Sequence, residues 1–560
     1  MSQMQTHYNM DQLVLDITTA YVPAPDHVVH HINDLVEAMD YQVLYQTGRP
    51  REFDPRAMMK LVLFAYLRGN FSCRRIAQFA EENINAMWLT QEQKPSYRTI
   101  ARFVVSNEAQ EILQSSLDSM VQFLKAHGLI DDVSFIDGTK ILANANKYSF
   151  VWNKNTIRYD ELNRTQAEKL IAEIKQAEAE AFAANQVFDY DHTDEIVARL
   201  ENRKEELNVE VEATKKVSPN PARQKRRANQ GRLGKMKRIK EKRDRHIQEK
   251  EILGERNSYS KTDHDATFMH VKEDPMGGEA KPAYNLQIAT SNQFVTGYAI
   301  FQNPSDIRTL VPFIRDLAAH DALGHTIVAD AGYGSEIGYR TIEDEFEGHT
   351  ALIPYGTMLK ENSRKWRSDD SKVMNWAYHE LDDYYEDPRG VRFNFHRYVK
   401  QVDAYGDERQ FKEYQAEDKD ENGKTIPAAL TKGGRRRQIK VNPSWEYFKA
   451  QMRERLSEPK NAMIYAQRQI DAETVFGNLK AYLGFKRFTV RGIKKVKNQI
   501  GFALMALNMK KMAEVRRSSS FIFEIQGQKS GQVRKSRRFS NLAIIFEGFC
   551  HAPEAGLEDF

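Results

Sequence analysis

The sequence predicts a mixed α/β fold in which an all-helical N-terminal domain precedes a mixed sheet with helices, and the sheet is interrupted by a helical, coiled-coil-like insertion and by a second insertion. Three observations predict it. Capped helical periodicity fills the first 130 residues. Short β-rich runs recur at 133–142, 284–301, 326–330 and 350–353, with a helix among them. Two long polar stretches, 156–258 and 356–459, separate these runs. At 560 residues the chain is several times the ~100–200 of one domain, and 41% hydrophobic residues suffice for a sizeable core.

Composition excludes several classes. No run reaches the ~18 apolar residues of a membrane span, and the N-terminus has polar and acidic residues where a signal peptide needs a basic start and an apolar stretch, so a cytoplasmic protein is expected. With only Cys73 and Cys550, neither a four-cysteine zinc site nor a disulfide framework can form, and any metal must sit on carboxylates or histidines. The net charge of +4 (82 basic, 78 acidic) names no partner, but the charges are unevenly placed.

In the N-terminal domain (1–130), Asp54 and Pro55 open a helix whose apolar face carries Met58, Met59, Leu61, Val62, Phe64 and Leu67. Ser72 then caps 73–82, and Ser96 caps a helix that sets Arg98 and Arg102 one turn apart, a helix-turn-helix rhythm suited to DNA. The sheet begins in 131–155, where Val133 to Asp137 reads as a strand closed by Asp137-Gly138 and resumed through Leu142. The insertion 156–258 has helical arms on Leu170, Ile171 and Ile174, on Ile196, Leu200, Leu207 and Val211, and on Leu233, Met236 and Ile239. Between Lys215 and Lys250 it holds fifteen Lys or Arg against three acids, among them Arg223, Lys225, Arg226, Arg227, Lys237, Arg238, Lys242 and Arg243. An excess this dense points to a polyanion, because each phosphate neutralised releases counterions.

The sheet continues in 259–355 with a hairpin across Ser291-Asn292, a helix capped by Asp306, a strand 326–329 ending at Asp330, and a strand at 350–353. A hundred-residue loop is improbable, so 356–459, with its basic cluster Arg435-Arg436-Arg437, is expected to have structure of its own. Helices from 462 to 483 and from 494 to 512, joined by the basic turn 486–492, complete 460–515. The basic tail 516–560 shows no assignable period.

Asp137, Asp330 and Glu473 are the carboxylates such a fold presents rather than solvates. Each alone has a plainer reading, as a turn pair, a strand end or an exposed helical glutamate. Together they are more specific, because Asp137 lies in an apolar run, where an ionised group must be paired or bind a cation, and Asp330 ends a strand of buried type. Hard oxygen ligands suit Mg²⁺ or Mn²⁺, and two ions ~3.5–4 Å apart can activate water and stabilise a departing phosphodiester oxygen. Tyr465, Arg468, Glu473 and Lys480 share a broad helical face, which sets an acid between groups for phosphate oxygens.

These residues resemble the insertion-sequence DDE transposases, bacterial enzymes with an RNase H-like catalytic core. The resemblance runs from Gly48-Arg49-Pro50 and Phe53-Asp54-Pro55 through Ser134 to Lys140, Asn144-Ala145-Asn146 and Val328 to Tyr333, to Glu473–Lys480 with Phe476-Gly477 and Leu479 inside. It implies that Asp137, Asp330 and Glu473 are catalytic and bind two Mg²⁺ (or Mn²⁺) ions, and that Tyr465, Arg468 and Lys480 form the helix signature around the glutamate. The Arg468-to-Glu473 interval is one residue longer than in the best-known form, with Gln469 in the expected place. Large insertions before the glutamate helix contact DNA ends in relatives. The resemblance further implies a transposase that binds the terminal inverted repeats of its element and target DNA, acts as a homodimer on DNA, and works in the bacterial cytoplasm at the nucleoid. Arg487, Arg491, Lys494 and Lys495 follow the glutamate helix and would position phosphates. Two other readings fit the same residues: a metal-dependent nuclease of this fold that cuts without joining, and an inactive DNA-binding descendant.

Overall fold

The computed structural model describes residues 21–38, 53–177, 188–216, 218–271, 278–403, 406–419 and 423–529, with side chains to 515. Gly48-Arg49-Pro50, Cys550 and the residues from 530 onward lie outside them.

The N-terminal helices are Val28–Ala38, Pro55–Leu67, Cys73–Glu82, Ile84–Thr90, Tyr97–Val104 and Asn107–Ala126. Asp54 and Ser96 cap as their side chains predict, accepting from Arg56 N and Thr99 N. Ser72 sits at the N-cap of Cys73–Glu82 without a side-chain capping bond. Pro55–Leu67 is buried nearly all round, because the helix Ile493–Lys529 covers its far side, with Phe502 against Tyr66 and Phe103. The N-terminal helices thus share one continuous core with the sheet.

Among the described residues, eight strands precede the second insertion: β1 Val133–Leu142, β2 Phe150–Trp152, β3 Ser258–Ser260, β4 Thr267–His270, β5 Ala280–Ser291, β6 Phe294–Phe301, β7 Thr326–Ala329 and β8 Thr350–Leu352. The main sheet runs β4-β5-β1-β7-β8, with β6 also on β5. β1, β7 and β8 are parallel, and β5 is antiparallel to β1. Two expectations are corrected. Asp137-Gly138 does not close a strand: β1 is continuous, because β5 pairs with it from Phe135 to Leu142. Asp306 does not cap Leu310–Ala319, since its carboxylate is taken by Lys140, Asn285 and Gln287, and Thr309 stands at the N-cap without a side-chain bond.

The first insertion is a three-helix bundle, Asn153–Ala177, Thr193–Ala213 and Pro221–Leu253, with its own core on Leu170, Ile174, Ile196, Leu200, Leu233 and Met236. Its two ends are pinned by antiparallel β2 and β3. Among its described residues the second insertion holds five antiparallel strands, β9 Ala377–His379, β10 Tyr384–Glu386, β11 Arg392–Val402, β12 Glu408–Ala416 and β13 Gln438–Val441, over a small core of Trp376, Val391, Phe393 and Tyr414. Its final helix, Pro443–Ser457, packs Phe448 and Met452 into the main core. The tail, for which the sequence offers no period, continues as helix to Lys529, since extending a helix costs far less than starting one. Among the described residues no helix is long and apolar enough to cross a membrane.

Candidate active site

β1 and β7 pair in parallel from Val133↔Thr326 to Ile136↔Ala329, so the next residues on the two strands, Asp137 and Asp330, come side by side. Side chains two apart share a face. Phe135 and Val328 pack together on one face, and Asp137 and Asp330 follow on that same face where the β1–β7 pairing ends, Asp137 within β1 and Asp330 just past β7. Each carboxylate is oriented by a nearby backbone N–H: Asp137 Oδ1 accepts from Gly138 N within β1, and Asp330 Oδ1 from Gly332 N in the turn after β7, both at 2.8 Å.

Across this edge runs a helix from 459 to 482, with π-helical turns at Gln469–Glu473 and Asn478–Tyr482. The first π turn coincides with the extra residue between Arg468 and Glu473. Two α-helical turns take about 7.2 residues and an i→i+5 turn absorbs about one more, so the eight residues from Tyr465 to Glu473 complete two turns. Glu473 to Lys480 is seven residues, close to two turns again. Tyr465, Glu473 and Lys480 therefore lie on one line of the helix, and both neighbours of the glutamate reach the strand ends. Lys480 Nζ donates to Thr139 Oγ1 at 2.6 Å, and burial raises the Tyr465 pKa, with Asp330 adding to the rise and Arg468 opposing it. Arg468, stacked over Tyr465, puts Nη1 at 3.9 Å from Asp137 Oδ2. Glu473 itself is exposed. Asp471 points the other way: it is 1% exposed and accepts from Gln293 N at 2.9 Å, which ties the π turn to the β5–β6 hairpin.

The reverse face of β1 carries a polar chain that the sequence reading missed. Lys140 Nζ donates to Asp306 at 3.0 Å, Asn285 and Gln287 donate to the same carboxylate, and Tyr333 OH donates to Gln287 Oε1. Tyr333 sits in the turn after Asp330, its N–H on Asp330 O. Burial, then the charges of Asp306, Asp137 and Asp330, push its phenol far above the usual range. Gly138 makes the chain possible, since a Cβ there would stand 2.2 Å from Gln287 Nε2 and 2.9 Å from Tyr333 OH. The signal was present in the run Tyr284 to Ala289, where Asn285 and Gln287 alternate with apolar residues and so mark a polar stripe on one face.

The predicted nucleic-acid contacts separate by location. Arg98 and Arg102 are exposed on Tyr97–Val104, with Arg98 and Arg74 both against the Tyr97 ring. Arg487 donates to Ala143 O and Ala145 O, and Arg491 to Asn144 O, so both hold the segment after β1 through their guanidinium groups. Lys494 and Lys495 are exposed at the start of the next helix. In the bundle, Arg223, Lys225, Arg227 and Arg238 are exposed, whereas Arg226 donates to Asn208 and Lys237 pairs with Glu201. Arg243, counted in the basic run, is buried in a cluster with Asp194 and Asp244.

The donor set at the strand ends is all oxygen, of the kind hard divalent cations take. Among the described residues no three His, Cys, Asp or Glu side chains are already gathered as a metal cluster. The β1–β7 register sets Asp137 and Asp330 at neighbouring positions, and Glu473 stands on the helix between Tyr465, which feels the charge of Asp330, and Lys480, which is bonded to Thr139.

Residues 256–509 match the family described as a transposase DDE domain, and residues 17–106 match one described as a transposase domain (DUF772). The first match contains Asp330 and Glu473 and begins after Asp137. No curated protein matches the chain.

Proposed function

We propose that the chain, which carries a transposase DDE domain and a transposase domain (DUF772) and so performs phosphoryl transfer on DNA, binds the terminal inverted repeats of its own element, cuts there and joins the ends to target DNA through Asp137, Asp330 and Glu473. The observation that carries this reading is the register of β1 and β7, which sets Asp137 beside Asp330, with the Tyr465–Glu473–Lys480 line running past them. Divalent metals serve this family. Two Mg²⁺ or Mn²⁺ ions held by the three carboxylates would supply an activated water and counter-charge for the phosphoryl oxygens.

The chain's own residues do the rest. Backbone N–H groups of Gly138 and Gly332 aim the aspartates, so little reorganisation is needed when the site fills. Lys480, fixed on Thr139, and Arg468, beside Asp137, set cationic charge at the rim of the pair, where a phosphodiester would lie. Arg468 is also counter-charge to Asp137 in the absence of other cations. Arg487 and Arg491 keep the 143–145 segment against the basic turn, and Lys494 and Lys495 extend the positive rim for phosphates. Arg98 and Arg102, on a helix of the N-terminal region, face solvent and would meet DNA there. Cutting two ends in concert calls for two copies of the chain, so a homodimer on DNA is part of the proposal, as is residence in the bacterial cytoplasm with the chromosome.

The test is a strand-transfer assay with pre-cut element ends and a plasmid target in Mg²⁺. Joined products support a transposase. Cutting without joining would reduce the chain to a nuclease of this fold.

A further inference from the structure

The helix Pro221–Leu253 uses its basic residues in two ways. One set is directed into the bundle: Lys237 pairs with Glu201, Lys240 with Asp194 and Asp244, Arg243 with Asp194, and Lys250 with Asp160. The other set faces away. Arg227, Arg238 and Lys242 are exposed and make no ion pair or side-chain hydrogen bond among the described residues, while Leu233, Met236 and Ile239 bury the opposite side.

Between Arg227 and Arg238, on the same outward line, stand Gly231 and Gly234. The spacing 227, 231, 234, 238, 242 is that of one helical ridge. A Cβ at either glycine would meet nothing within 4 Å, and neither has positive φ. Packing and backbone geometry therefore do not require glycine, although glycine inside a helix is less stable there than alanine. The result is bare helix backbone flanked by guanidinium and ammonium groups.

We propose that this ridge is a docking surface for the phosphate backbone of duplex DNA, the basic side chains taking phosphates and the two glycines letting the strand come close to the helix. The proposal rests on the reading of the chain as a DNA enzyme and adds the surface and its mode of contact. Charge selects the occupant. A second copy of the ridge would bring like charges together, whereas duplex DNA carries a negative charge per ~1.7 Å and the ridge spans about 22 Å. Contacts of this kind carry no sequence information.

The experiment measures binding of the full chain to a random-sequence duplex of about 20 base pairs across a salt series, with sedimentation of the free protein. In Arg227→Gln/Arg238→Gln/Lys242→Gln the affinity at low salt should fall at least about tenfold, and the slope of log K against log [salt] should flatten by about 0.9 for each phosphate that is no longer neutralised. Gly231→Gln/Gly234→Gln should also weaken binding, while Gly231→Ala/Gly234→Ala should raise the melting temperature, which separates DNA docking from folding. Unchanged affinity and slope in the triple variant would overturn the proposal, and so would loss of self-association alone in the glycine-to-glutamine variant. If the wild type cuts element-end DNA while these variants bind like it, only the ridge assignment fails. If the wild type neither binds nor cuts DNA, the functional reading fails and the ridge with it.

Discussion

Gly138 is the residue on which both faces of β1 depend. On one face its neighbour Asp137 stands next in register to Asp330. On the other, the missing side chain leaves room for Gln287 and Tyr333, which join the two aspartate-bearing segments from behind. Gly138→Ala is expected to cost about 1–3 kcal/mol, the usual range for overpacking, and to lower the cleavage rate as well, because relief requires the Gln287 amide and the Tyr333 phenol to shift and disturbs the hydrogen bond between them. Thermal melts and nicking rates on the same preparation check both effects. Tyr333→Phe is milder: it removes the donor to Gln287 Oε1 and should cost about 1–2 kcal/mol with DNA binding intact in gel shift. Asp137-Gly138 and Asp306 show what a sequence hides at this scale. A DG pair signals a turn, and an Asp before a helix signals a cap. Only the pairing of β5 with β1 makes the first continuous strand, and only Lys140 opposite Asn285 draws the second into a network.

At the scale of elements, the helix from 459 to 482 and the sheet of the second insertion make separate predictions. Asp471 fastens the π turn to the β5–β6 hairpin. Asp471→Ala should strand the Gln293 N–H and cost about 1–3 kcal/mol, whereas Asp471→Asn keeps an acceptor and should melt near the wild type. In the second insertion, burial works against ionisation of Asp387, but the Arg437 guanidinium at 2.7 Å and the N–H groups of Val391 and Arg389 outweigh it and hold the carboxyl below its usual range. A depressed folded-state pKa contributes stability that is present above the unfolded value of 3.8 and is lost as the pH falls below it. Acid unfolding followed by Trp376 fluorescence should therefore become less steep in Asp387→Asn, which should also be less stable at pH 7. The helix was legible from 462 to 483, but the π turn was not. One extra residue between Arg468 and Glu473 reads as a departure from pattern until i→i+5 bonding turns it back into register. The five strands of the insertion were expected only as structure of some kind, because β11 beyond Phe393 is mostly exposed and its aromatic and charged residues give no clean alternation.

Over the whole molecule, the division of labour follows the cores. The N-terminal helices and the sheet share one, so they should unfold together, while the bundle has its own. Leu200→Ala, at a fully buried bundle position, should cost about 2–5 kcal/mol and raise amide exchange in the bundle helices while leaving β1 and β5 protected. The bundle and its basic run were legible because three apolar stripes recur at helical spacing. That the N-terminal helices merge with the catalytic fold was not, because the ring pairs that join them, Tyr66 with Phe502 and Phe71 with Phe485, link residues more than four hundred positions apart. The central claim is that Asp137, Asp330 and Glu473 act as one metal-holding site on DNA. The most direct measurement is the nicking rate of element-end DNA in Mg²⁺ for Asp137→Asn, Asp330→Asn and Glu473→Gln, with DNA affinity measured alongside. Each variant should bind as the wild type does and nick slower by about a thousandfold or more, whereas wild-type nicking by any one of the three would contradict the assignment.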